Sequence, residues 1–156
     1  MSGAIGHPRP THLKLVAGYE NGWMNHAVLG FCWPDAHAKA QAVVDSVKQQ
    51  MVDKHIAVDE LCVEFMGHSA FLGPHADSSQ MPDANEVWLR MAVRSNTMRI
   101  AQEFPRLLPW MALSGPPFMG GFHGISAPSQ LLGLWPCLVQ RELIEANVQV
   151  DVLELT

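Results

Sequence analysis

A glycine-rich segment from Leu113 to Gly124, LSGPPFMGGFHG, is the part of this sequence best suited to contact a ligand. It holds four of the twelve glycines, two adjacent prolines, a serine and two phenylalanines, so its backbone can approach a ligand closely. The N–H groups of Gly120 and Gly121 could form an anion-binding nest, and Ser114 adds a hydroxyl. The same composition is typical of turns that do no chemistry, and that alternative stays open.

Two arginines are candidates for binding an acid. The guanidinium of Arg90 or of Arg141 can hold a carboxylate or a phosphate through two parallel hydrogen bonds. The alternative is an ion pair of little energetic value, between Arg90 and Glu86 or between Arg141 and Glu142.

Two histidines, His68 and His123, are candidates for a general acid and a general base, because imidazole changes its charge near neutral pH. The alternative is that each is a solvated loop residue. Ser69 and Ser114 lack the strand–elbow–helix pattern of a serine hydrolase. Tyr19, the only tyrosine, follows a glycine in a predicted turn and is either a ligand contact or a packing residue.

Composition excludes several classes of protein. A net charge of −5, with acids and bases interspersed, argues against nucleic acid as the main partner. The eight histidines show no metal-binding spacing, so we expect no metal and no other cofactor. Cys32, Cys62 and Cys137 lie in apolar runs, which predicts buried free thiols in a reducing compartment. Without a signal-peptide pattern or a membrane-spanning window, a cytoplasmic protein is expected.

Hydrophobic patterning in the first third predicts a hairpin followed by a helix. Strands over residues 12–18 and 27–33 are joined through Asn21-Gly22, a strong turn signal. The helix opens at Pro34-Asp35 and ends near Lys54-His55. Its apolar face comprises Ala36, Ala40, Val43, Val44, Val47 and Met51.

The middle of the chain predicts a short strand over 61–66, a long connection over 67–84 and a strand over 86–94, EVWLRMAVR. This last strand has the clearest alternation in the sequence. One face comprises Val87, Leu89, Met91 and Val93, and the other Glu86, Trp88, Arg90 and Arg94.

A second helix follows, and Pro105 is expected to kink or divide it. Its apolar positions are Met98, Ala101, Phe104 and Leu108. After the glycine-rich segment, a strand over 131–143 is interrupted at Pro136, and a last strand alternates through Val148, Val150 and Val152.

These elements predict an α+β fold with a mostly antiparallel sheet and two helices on one face. Removing the outer strands leaves the β-α-β-β-α-β order of a ferredoxin-like unit. We expect residues 1–10 to be a leader and 11–156 to be a single α+β domain. The sheet face that carries Trp88 is left open, so we expect a homo-oligomer or a hetero-complex.

Five motifs occur in the order KLVAGYENGW, VDELCVEFMG, NEVWLRMAVRS, SGPPFMGG and QRELI. In this order, from about Pro10 to Ile144, they resemble the C-terminal part of the acyclic terpene utilisation AtuA family. Members of that family usually carry a substantial N-terminal region. This chain therefore resembles a stand-alone, diverged or split member whose partner would be a larger chain similar to that region.

The resemblance implies a bacterial catabolic setting in which branched acyclic acids are processed as CoA thioesters. It suggests a subunit that acts on a small carboxylic acid or acyl-CoA as a lyase of the hydratase or dehydratase type. His68 and His123 would then add water to an enoyl thioester or remove it. The substrate-binding candidates are Tyr19, Arg90, Ser114, Gly120, Gly121 and Arg141. The alternative is a non-catalytic partner that docks through its open sheet face on a larger catalytic chain.

Overall fold

The computed structural model describes residues 6–77, 79, 84–122 and 125–151. The chain divides into two compact units, which we call the core unit (Asn21–Leu131) and the ribbon unit (Met1–Glu20 with Leu132–Thr156). The expectation of one α+β domain over residues 11–156 stays a prediction.

The described residues form five strands, four helices and two short 3-10 turns. The strands are β1 (His12–Cys32), β2 (Glu60–Met66), β3 (Glu86–Ser95), β4 (Met119–Gly120) and β5 (Ser129–Gln140). The helices are α1 (Ala36–Asp53), α2 (Met98–Glu103), α3 (Pro109–Ser114) and α4 (Arg141–Glu145). The 3-10 turns are Gly73–His75 and Phe104–Leu107.

The sheet of the core unit has the strand order β2-β3-β1-β4, and each of these neighbours pairs antiparallel. With α1 between β1 and β2, and α2–α3 between β3 and β4, this is the predicted β-α-β-β-α-β order. The α+β class and the antiparallel sheet are therefore confirmed.

The core lies between one face of this sheet and the helices. Val87, Leu89, Met91 and Val93 are all buried there, as their period-two alternation predicts. Ala36, Ala40, Val43, Val44, Val47 and Met51 of α1 join the same apolar cluster. Phe104, Leu107 and Leu108 join it from the second helical segment, so both helical segments cover one face.

The second helix is divided at Pro105, as predicted. Helix α2 ends at Glu103 and a 3-10 turn over Phe104–Leu107 follows before α3 begins. Proline has no N–H to donate and its ring crowds the preceding turn, so the α-helical ladder stops there. The break lets Phe104 and Leu107 both reach the core.

The prediction of a hairpin at Asn21-Gly22 is wrong, because β1 continues through these two residues without reversing direction. Gly22 has φ 81°, and a Cβ placed on it would lie 2.7 Å from the carbonyl oxygen of Ser95. The glycine therefore serves a close approach of β1 to the end of β3 rather than a chain reversal.

The prediction that the cysteines are buried is also wrong. All three are free, but Cys32 and Cys62 are exposed and Cys137 is half-buried. Cys32 pairs across the sheet with Glu86, on the face opposite the core. Strand alternation thus outweighs the apolar character of the surrounding run.

The C-terminal strands differ in part from the prediction. β5 contains Pro136 as expected but ends at Gln140, where α4 begins. The prediction of a last strand is wrong for the residues that the structure describes, since Val148 and Val150 belong to no strand. Val152 lies outside the described residues.

The ribbon unit is built from the first part of β1 and most of β5, which pairs with β1. The N–H of Arg141 donates to the carbonyl of Thr11 over 2.9 Å, and its Nε donates to the carbonyl of Pro10 over 2.7 Å. None of the described residues of this unit is buried. It therefore has no core of its own.

Candidate functional site

The glycine-rich segment lines an apolar cavity of about 330 Å³ at the edge of the sheet. The lining residues are Gly30, Phe31, Cys32, Glu86, Trp88, Phe118, Met119, Gly120 and Gly121. Its walls come from β1, β3 and β4, so rigid strands position the lining. The volume is at the lower end of the ~300–1,000 Å³ found for small-molecule sites.

Trp88 forms one wall of this cavity because two glycines leave room for its ring. A Cβ on Gly121 would lie 2.5 Å from the indole Cη2, and one on Gly30 would lie 3.3 Å from the same atom. Gly121 also has φ 69°, which disfavours any other residue there. Gly120 differs, since a Cβ on it would meet nothing within 4 Å. Of these two adjacent glycines, Gly121 is therefore sterically required and Gly120 is not.

Phe118 attaches the segment to the end of β1. Its carbonyl accepts hydrogen bonds from the backbone N–H of Cys32 at 3.2 Å and from the Cys32 thiol at 3.3 Å. The Lys39 ammonium lies 5.2 Å from the centre of its ring, within cation–π range. Phe122, by contrast, packs against the core and does not line the cavity.

A buried polar contact holds the chain that follows the segment. Asn25 is buried, and its Nδ2 donates to the carbonyl of Ser126 over 3.0 Å. The Ser126 hydroxyl donates to Asn25 Oδ1 over 2.9 Å in return. A buried amide left without partners costs roughly 1–3 kcal/mol, so this pair holds residues beyond the segment to β1.

Arg90 lies on the open face of the sheet, two positions from Trp88, and it is paired with Glu64. The Nη1–Oε2 distance is 2.5 Å, and the two residues are direct cross-strand partners on β3 and β2. The predicted alternative, an ion pair, is thus found with Glu64 as the acid. Arg90 lines a separate cavity of about 260 Å³ with Glu60 and Arg94. An acidic ligand at Arg90 would have to compete with Glu64.

His68 follows β2 and lines a third, more polar cavity of about 710 Å³. Asp77 and Asn85 also line it. The His68 ring stands edge-on to the ring of His37, with 5.6 Å between their centres. His37 in turn lies 4.5 Å from the ring of Phe65, measured between centres. The structure therefore places one imidazole in the wall of a polar cavity and a second imidazole in contact with it.

Burial lowers the pKa of His37, and the positive charge of a protonated His68 lowers it further. Hydrogen bonds from the side chain and the backbone of Ser79 lower the pKa of Asp77. At neutral pH His37 is therefore neutral and Asp77 is charged, so a carboxylate lines the cavity and a neutral imidazole contacts His68.

The free energy of unfolding should fall as the pH falls below 6.5, because His37 then binds a proton in the unfolded chain but not in the folded chain. The stability that a neutral His37 contributes is present above its unfolded pKa and is lost as the pH decreases toward its lower, folded pKa. Urea denaturation between about pH 5 and pH 8 measures this slope. His37→Gln should reduce the slope, whereas His26→Gln, at an exposed strand position, should leave it in place. Equal slopes in all three proteins would contradict the prediction.

Two predicted site residues belong to the ribbon unit. The Tyr19 ring lies against Gly133, where a Cβ would overlap it. The guanidinium of Arg141 bonds to Glu145 at 2.9 Å, rather than to Glu142, and Glu145 also pairs with Arg9. Both candidate side chains have structural neighbours within their own unit.

The remaining candidates are dispersed. Ser114 is exposed at the end of α3, and His123 lies outside the described residues. The structure brings Gly120 and Gly121 together with Trp88, but His68 and Arg90 line two other cavities. Where sequence patterns expected one site, these candidates line three separate cavities.

Sequence reasoning missed Gly30 and His37. Gly30 carried a usable signal, since a glycine inside a strand often marks the close approach of another group, here the Trp88 ring. His37 carried none, because its contact with His68 joins the first turn of α1 to a turn after β2.

Among the described residues, no cluster of histidine, cysteine, aspartate or glutamate side chains could hold a metal ion. No helix in this part of the chain has the length and apolar character needed to cross a membrane.

Comparison with known protein families identifies a match over most of the chain. The family model described as "Acyclic terpene utilisation family protein AtuA" matches residues 1–150. No curated protein and no solved structure matches the chain.

Proposed function

Because the chain belongs to the acyclic terpene utilisation AtuA family, we propose that it is a subunit of a catabolic enzyme that acts on a small carboxylic acid or its CoA thioester. The family description itself ties the chain to the catabolism of acyclic terpenes. The observation that carries the proposal is the apolar cavity beside Trp88, which would receive the hydrocarbon part of the ligand.

Two features of the cavity suit a branched hydrocarbon. Its walls include the Trp88 and Phe118 rings and the Met119 side chain, which gain free energy by removing an apolar chain from water. Gly120 and Gly121 let the backbone come close without side chains in the way.

The polar end of the ligand would be bound by Arg90. Side chains two positions apart on a strand share a face and lie roughly 7 Å from each other, so Arg90 neighbours Trp88. Its ion pair with Glu64 keeps the guanidinium extended on the open face. A carboxylate ligand would share or replace Glu64 as the acceptor.

Hydration of an enoyl thioester, or dehydration of the corresponding hydroxyacyl thioester, needs a group that moves protons, and His68 is our proposal among the described residues. His37, held neutral, would accept or return a proton at the edge of the same imidazole. His123 stays a candidate for the same proton transfer, and Ser114 stays a candidate for binding the substrate.

We expect Trp88→Ala to weaken binding of a branched acyclic terpenoid acid by about tenfold or more, because it removes one wall of the cavity. Titration calorimetry with the acid and with its CoA thioester measures this. Trp110→Ala is the matched control, since Trp110 is exposed in α3 and lines none of the three cavities. Equal affinities in the two variants would refute a site at Trp88.

Glu64 separates the role of Arg90 from that of the cavity. If Arg90 binds the acid, Glu64→Gln frees the guanidinium and tightens binding of the free acid, while Arg90→Gln weakens it. An unchanged affinity in both variants would leave the cavity in place and remove Arg90 from the proposal.

The second candidate function is a non-catalytic partner that docks on a larger chain through the open sheet face. It is favoured by the charge pairing on that face, where Arg90 bonds to Glu64 and Arg94 bonds to Glu60. Paired charges lower the cost of covering the face with another chain. The purified chain alone should then show no turnover and no acid binding, and both should appear only when the larger chain is added.

A further inference from the structure

Strand β5 has the sequence of a strand buried on both faces, yet the ribbon unit does not cover it. Its twelve residues, SQLLGLWPCLVQ, include no charged side chain. Leu132, Leu134 and Leu138 are 71–73% exposed, and Trp135 is 65% exposed. An uncharged apolar strand in the open is the pattern that soluble proteins avoid at sheet edges.

Two contacts set the pairing of this strand with β1. The Arg141 N–H bonds to the carbonyl of Thr11, and the Tyr19 ring lies over Gly133. In an antiparallel pair, residues directly opposite each other share a face. The same register places Gly18 opposite Leu134.

This register defines one surface, which we call the leucine face. It comprises Lys14, Val16, Gly18 and Glu20 of β1 with Leu132, Leu134, Pro136 and Leu138 of β5. The opposite face of the ribbon is partly filled, because the Tyr19 ring covers Gly133. The leucine face combines three leucines that are 71–73% exposed with a lysine and a glutamate, so its charges can select what covers it.

The two charges of the leucine face lie at opposite ends of its β1 row. Lys14 and Glu20 flank Val16 and Gly18, and within the described residues neither has an ion-pair partner. If a second copy of the row runs in the opposite direction, its glutamate lies opposite the lysine of the first copy. The charges of the leucine face are thus complementary to those of an identical face.

We propose that the leucine face packs against the leucine face of a second copy of this chain. The two copies are related by a two-fold axis that lies in the interface, perpendicular to the strands, at the level of Ala17. The axis places Lys14 opposite Glu20 of the second copy, and does so twice because the interface is symmetric. It places Leu132 opposite Leu138 of the second copy in the same way. The uncharged β5 rows meet without repulsion.

The size of the face sets the expected strength. Nine residues per strand give a length of about 30 Å, and two strands give a width of about 10 Å. Two such faces bury roughly 600 Å² in total, the size of a weak, transient interface. We therefore expect a weak, reversible dimer, whose affinity single charges alter measurably.

Sedimentation of the full chain over a range of concentrations tests the proposal. The natural chain should be a reversible dimer. Lys14→Glu and Glu20→Lys should each weaken it by about tenfold, because each sets two like-charged pairs face to face. The variant carrying both changes should recover to within about threefold of the natural affinity, since the pairs are restored in reverse.

Mixing the two single variants gives a second readout that needs no comparison with the natural chain. The mixture should form heterodimers more tightly than either variant forms homodimers. Leu134→Asn should weaken the dimer, whereas Leu113→Asn, an exposed leucine of the core unit, should not. A monomer at every concentration, or no recovery in the double variant and in the mixture, would overturn the proposal.

Discussion

Gly121→Ala is expected to destabilise the protein by about 2–3 kcal/mol and to weaken ligand binding by more than the loss of folded protein explains. An alanine at φ 69° is strained, and its Cβ would lie 2.5 Å from the Trp88 ring. The ring must therefore move, and with it one wall of the cavity. Urea denaturation gives the stability, and calorimetry with a branched acyclic acid, at a temperature where the variant is folded, gives the affinity.

Gly120→Ala is the matched control for this prediction. The two glycines are adjacent and line the same cavity, but a Cβ on Gly120 meets no atom within 4 Å. We expect its stability to change by less than about 0.5 kcal/mol. If both substitutions cost the same, the segment is an ordinary turn whose fit to Trp88 has no consequence.

The main strands and helices were predictable because their buried faces repeat with the period of the backbone. The alternation from Val87 to Val93 predicted both β3 and the face that it buries. The spacing from Ala36 to Met51 did the same for α1, and Pro105 marked a true break. In the strand and the helix, apolar residues at a regular interval predict the element and its buried face.

The course of β1 was not predictable from local sequence. Asn21-Gly22 has the composition of a hairpin turn, and the reason for Gly22 is a carbonyl of β3 more than seventy positions away. A local turn signal does not distinguish a chain reversal from a close approach. The supposed hairpin therefore became one strand of 21 residues.

The candidate site was predictable only in part for a similar reason. The composition of the glycine-rich segment indicated close backbone approach, and the structure places that approach against Trp88. Which side chains gather around a cavity depends on tertiary contacts such as His37 with His68 or Arg90 with Glu64. Residue type suggested that Arg90 binds an acid, and the cross-strand register determines that its acid partner in this structure is Glu64.

Phe104→Ala is expected to have the largest effect on stability, a loss of about 3–5 kcal/mol. Phe104 is 0% exposed and lies at the point where Pro105 ends α2, so its ring joins this helical break to the core. Removing the ring takes apolar surface out of the core and leaves a cavity that the 3-10 turn fills poorly, since Pro105 fixes its backbone.

Phe71 provides a control of the same residue type at the opposite limit of burial, since it is 103% exposed. Phe71→Ala should change the free energy of unfolding by less than about 0.5 kcal/mol. Urea denaturation of both variants beside the natural chain, at one pH and one protein concentration, measures the difference. A loss of under about 1 kcal/mol for Phe104→Ala would mean that the second helical segment does not pack on the sheet. The strands and α1 would then have to stabilise the core unit without it.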